Sequence, residues 1–62
     1  MGMATRDDVA RFLEYIEDNP ETILSNWERL FLLRMSLAIT HRRRISLGDM
    51  WVAKDIYESI TR

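Results

Sequence analysis

At 62 residues and a net charge of −1, the chain has room for one small domain and no overall charge to draw it to nucleic acid. It has no cysteine, which excludes disulfides, Cys-based zinc sites and thiol redox chemistry; its one histidine, His41, excludes an H-E-x-x-H metal helix. A hydrophobic share of 47% excludes disorder, but a domain this small buries only about 60% of its unfolded surface, so a helical fold assisted by self-association or a partner is expected.

Three helices are expected, at about 6–18, 26–42 and 47–60, in an all-α three-helix bundle spanning residues 1–62. The first is capped by Thr5, with Asp8 three residues on completing a variant capping box, and Asp7 and Asp8 suit the positive end of the helix dipole. Val9, Phe12, Leu13 and Ile16 form its apolar stripe. Asn19-Pro20 ends it, or Pro20 opens a short helical turn through Leu24.

The second helix starts at the capping box Ser25-Asn26-Trp27-Glu28. Trp27, Leu30, Phe31, Leu32, Leu33, Met35, Leu37, Ala38 and Ile39 leave it little polar surface. A helix apolar on most sides is buried on most sides, and two short neighbours cannot cover it. A homodimer or a bound protein is therefore expected. No glycine supplies the usual left-handed cap at its end, so ordinary residues must make the turn. The third helix is capped by Ser46 in Ser46-Leu47-Gly48-Asp49. Leu47, Met50, Trp51, Ile56, Tyr57 and Ile60 give its apolar face, with Val52 and Ala53 at the edge.

Charge is divided along the chain. Residues 1–28 carry two positive and seven negative side chains, a net of −5; residues 29–62 carry seven positive and three negative, a net of +4. An acidic first helix lying against a basic second half would neutralise both. Alternatively, the basic turn His41-Arg42-Arg43-Arg44 is kept for a phosphate or an acidic protein, since arginine forks bind both bidentately. It also suits the negative end of the second helix. The partner-binding candidates are Arg42, Arg43, Arg44, His41, Arg34 and Trp27.

Other functions fit poorly. The second and third helices have the outline of a helix-turn-helix, but Leu47-Gly48-Asp49-Met50-Trp51 is apolar and acidic where a base reader needs Arg, Lys, Asn or Gln. Trp27, Phe31, Trp51 and Tyr57 could stack on single-stranded bases, yet their helical spacing favours the core. The serines lack a general base other than His41, and no glycine-rich loop could cradle phosphates, so no enzyme, cofactor, metal or small-molecule substrate is implied. The N-terminus lacks the apolar region of a signal peptide and, with Arg6, the myristoylation pattern. Leu30 to Leu33, the longest apolar run, is too short to span a bilayer, so a soluble cytoplasmic protein is expected.

Residues 24–60 carry a further pattern: Leu24-Ser25-x-Trp27-Glu28-x-x-Phe31-Leu32, then Arg42-x-Arg44-Ile45-Ser46, then Ile56-Tyr57. It resembles a short helical tract of small phage and prophage proteins, in which W-E-x-x-F leads to an R-G-R-x-L-S turn and a helix ending in I-Y. Here Arg43 stands for the turn glycine, and Gly48-Asp49 for the lysine-glutamine pair after the serine. The resemblance implies a setting near DNA replication and recombination, with no defined activity. The expected function is a small non-catalytic protein-interaction module of phage type, associated with DNA metabolism or modulation of a host protein. A phosphate-contacting nucleic-acid module and a purely structural oligomerisation unit are the alternatives.

Overall fold

A computed structural model describes residues 3–62 and contains three helices: α1 (Arg6–Asp18), α2 (Asn26–Thr40) and α3 (Leu47–Ile60). The described residues form no strand. Each helix starts where a side chain can satisfy first-turn N–H groups. The Thr5 N–H donates to the Asp8 carboxylate at 2.7 Å. Ser25 and Glu28 close a reciprocal box: Ser25 N–H donates to Glu28 Oε1 at 2.8 Å, and Glu28 N–H to Ser25 Oγ at 3.4 Å. At α3, Ser46 Oγ accepts from the Asp49 N–H at 3.2 Å.

The stops are equally local. Asn19 donates from both its backbone N–H and its Nδ2 to the Tyr15 carbonyl, each at 2.9 Å. Pro20 then sits inside a turn closed by Thr22 N–H on the Asn19 carbonyl at 3.0 Å, and no helical turn follows through Leu24. The second helix ends at Thr40, not at 42. His41 is its C-cap, and Arg42 takes the left-handed conformation with φ 53°. Arg42 N–H reaches the Ile39 carbonyl at 3.2 Å and Arg43 N–H the Ala38 carbonyl at 2.8 Å, which is the Schellman pattern. An arginine thus does what glycine usually does, against a steric cost of roughly 1–2 kcal/mol.

The core forms around α1. Val9 and Phe12 are fully buried there, and α1 lies close to both α3 and α2, whereas α2 and α3 scarcely approach each other. Phe12 meets Phe31 of α2 with ring centroids 6.4 Å apart. Tyr15 meets Tyr57 of α3 edge-on at 5.7 Å. Met35, Ala38, Ala53 and Ile56 complete the helical part, and Leu24 and Ile45 fold in from the two linkers. Ala53 is fully buried, so its methyl group, and not a large side chain, occupies the centre of the α3 inner face.

The expected face of α3 is therefore rotated. Leu47 and Trp51 are 50% and 42% exposed. They lie one turn apart, and Trp51 is roughly 140° around the helix from Ile56. The Lys54 ammonium stands 5.3 Å from the Trp51 ring centroid, a cation–π arrangement. Trp27 is also outside the core.

Three substitutions test the helix ends in thermal or urea melts. Ser25→Ala should lower stability by about 0.5–2 kcal/mol, since its cap bonds are lost, and Ser46→Ala should do likewise. Arg42→Gly should raise it by about 0.5–1 kcal/mol by removing the left-handed cost. Unchanged melts for both serine variants would contradict these starts.

Candidate functional site

The most unusual surface is the outward side of α2. Trp27, Leu30, Leu33 and Leu37 are 58%, 65%, 57% and 48% exposed. At about 100° per residue the three leucines share one arc, turned away from the buried Phe31, Met35 and Ala38, while Trp27, in the first turn, sits on the side of Phe31 and Ala38. An expanded chain does not explain this exposure. The radius of gyration is 10.8 Å, against about 10.6 Å for a compact domain of this length. Three leucines in a row on one face exceed the scattered exposure ordinary on a monomer.

Leu30, Leu33 and Leu37 follow the a–d–a spacing of a heptad, and Arg29, Arg34 and His41 take its flanking positions. Glu28, the only acid of α2, is half-buried and drawn into the capping box. The outward ridge is thus apolar with cationic edges. One edge falls into a groove of about 410 Å³ shared with α1, where Leu13, Ile16 and Leu32 form the lining and Glu17 and Arg29 also contribute. The other falls into a notch of about 240 Å³ lined by Arg34, Leu37, Ala38, Arg43, Arg44 and Asp49, among others. Arg34 Nη2 meets Asp49 Oδ2 there at 3.3 Å, an exposed pair worth under about 1 kcal/mol.

The candidate residues therefore separate. Arg34, Arg43 and Arg44 come together at the notch. Arg42 serves the backbone turn, and its side chain is exposed. His41 is the exposed helix cap. Trp27 stands in the first turn of α2, about 21 Å from His41 along the axis at 1.5 Å per residue and off the leucine row. Among the described residues, no acidic side chain of α1 pairs with Arg42, Arg43 or Arg44, so contact between those oppositely charged segments does not neutralise the basic turn.

Arg6 has a role that reading the sequence missed. Its Nη1 donates to the Arg43 carbonyl at 2.8 Å and its Nη2 to the Ala38 carbonyl at 3.4 Å. The start of α1 thereby braces the end of α2. A signal was available: a cation in the first turn opposes the helix dipole, so Arg6 needed an acceptor elsewhere. The sequence shows that α2 is apolar around much of its circumference but not that Leu30, Leu33 and Leu37 take the uncovered side, because apolarity alone does not say which side a neighbour takes.

Among the described residues, no group of three or more His, Cys, Asp or Glu side chains could hold a metal ion, and no helix is long and apolar enough to cross a membrane. No protein-family model, curated protein or solved structure matches the chain.

Arg6→Gln should cost about 1–2 kcal/mol, because it removes charge-assisted bonds to two carbonyls. Arg43→Gln and Arg44→Gln should each cost under about 1 kcal/mol, since the Arg43 carbonyl that Arg6 uses is backbone. Equal losses in urea titrations of all three variants would remove the bracing role.

Proposed function

We propose that this chain is a small non-catalytic protein-interaction module of phage or prophage type, acting in the cytoplasm in DNA metabolism or on a host protein. It works through the outward ridge of α2 and is a homodimer when alone. The observation that carries this reading is the row Leu30, Leu33 and Leu37, each about half or more exposed on one helix face. Pairing two ridges would cover six half-exposed leucines. At about 1–1.5 kcal/mol each, the gross gain is roughly 6–9 kcal/mol. Association costs at least about 4 kcal/mol. The surplus corresponds to a dissociation constant in the millimolar range, tightening as further edge contacts form. Such a dimer exchanges subunits readily.

A second reading rests on the gathering of Arg34, Arg43 and Arg44 around one notch with a single carboxylate, Asp49. That arrangement suits the phosphates of a nucleic acid. Salt separates the two readings: phosphate contacts weaken steeply with ionic strength, and apolar docking does not. With Arg42, Arg43 and Arg44 all replaced by Gln, a nucleic-acid complex would lose up to about three units of salt slope. A purely structural assembly unit would use the same ridge without any second protein.

Sedimentation equilibrium across micromolar to millimolar concentration tests the main reading. The native chain should show reversible self-association, and Leu33→Lys should sediment as a folded 7.4 kDa monomer. A native chain that stays monomeric throughout removes the homodimer.

A further inference from the structure

The edges of the α2 ridge decide what binds it best. We infer that the ridge is a docking site for an acidic amphipathic helix, which displaces the second copy of this chain; this rests on the ridge being the interaction surface. Leu30, Leu33 and Leu37 lie in heptad register, so the matching ligand is another helix with an apolar seam. The α2 charges beside the seam are Arg29 and Arg34, with His41 at its end and no exposed carboxylate of α2; Glu17 of α1 lines the groove on the Arg29 side without an ion pair to it.

A second copy answers those charges badly in either direction. In a parallel pair, the heptad sets Arg29 beside Arg34 of the second copy, twice over. In an antiparallel pair, it sets Arg34 beside Arg34 of the second copy near the two-fold axis. Asp49 offsets Arg34 in part, through one contact of 3.3 Å on an exposed guanidinium. Arg29 has no ion-pair partner among the described residues. A helix with glutamates flanking its leucines would place a carboxylate against both arginines and still cover the same apolar row. Arg43 and Arg44, beyond the end of the ridge, extend the favourable field toward that ligand.

Ionic strength therefore acts with opposite sign on the two complexes. Salt screens the arginine repulsion in the homodimer, which tightens, and screens the attraction in the mixed complex, which loosens.

Two synthetic peptides of about three heptads serve as probes, both with leucine at the seam; one has glutamate and the other lysine at the flanking positions. Each repels itself, so neither hides in a coiled coil of its own. Titrated into the full chain by fluorescence of its tryptophans and by sedimentation, the acidic peptide should bind at least tenfold more tightly than the basic one. It should also dissociate the homodimer, with affinity falling as salt rises. The double variant Arg29→Glu, Arg34→Glu alters exposed positions, and circular dichroism verifies its fold. It should reverse the preference and favour the lysine peptide. Equal binding of both peptides by the native chain, or no reversal in the folded double variant, would overturn the acidic partner. A homodimer that persists undisturbed by the acidic peptide would overturn it and leave the proposed function standing. A monomer that binds neither peptide would defeat both. Preference for anionic lipid vesicles over the acidic peptide would assign the ridge to a membrane surface instead.

Discussion

Only α1 has a helix packed against it on two sides. With three helices and two short linkers, one element can be enclosed, and here it is the one bearing Val9 and Phe12. The placement of the others follows. α3 leans on α1 through Ala53, Ile56 and Tyr57, α2 through Phe31, Met35 and Ala38, and neither has much left to offer the other. The outward row on α2 is the counterpart of that enclosure: a helix apolar around much of its circumference has been given cover over one arc only.

The turn between α2 and α3 makes this arrangement durable. Arg42 reverses the chain in a conformation that a side chain resists, and the Arg6 guanidinium grips two carbonyls on the reversed segment. The brace joins residues 37 positions apart and closes the gap between the start of α1 and the end of α2. Two arginines of one type thus do unrelated work a few ångströms apart. Arg6 holds carbonyls, and Arg43 contributes its backbone to that grip while its guanidinium lines the notch. Charge density alone could not distinguish these duties.

How much was legible varied with the range of the interaction. All three helix starts were readable, because a cap needs only residues within one turn, as in Ser25 with Glu28. The all-α class followed from the 3.6-residue period, and Val9 and Phe12 from the clean stripe of α1. The end of α2 was misplaced by two residues, since nothing in Thr40-His41-Arg42 marks a left-handed position when glycine is absent. The burial of α2 and α3 was legible only in part. Trp27 and Trp51 look like core residues by type and spacing, and only the location of α1 puts them outside. The arginine notch was half visible: Arg43 and Arg44 form a run, but Asp49 joins Arg34 across 15 positions.

The pairing of α1 with α3 also has a consequence in time. These helices are the first and the last of the chain, and their contact spans more sequence than any other helix pair. Closing so long a loop costs more chain entropy than closing the α1–α2 loop. The α1–α2 pair closes a shorter loop, so α1 can cover one side of α2 before α3 docks and completes the core of α1. For that interval the leucine row of α2 stands beside a half-built domain.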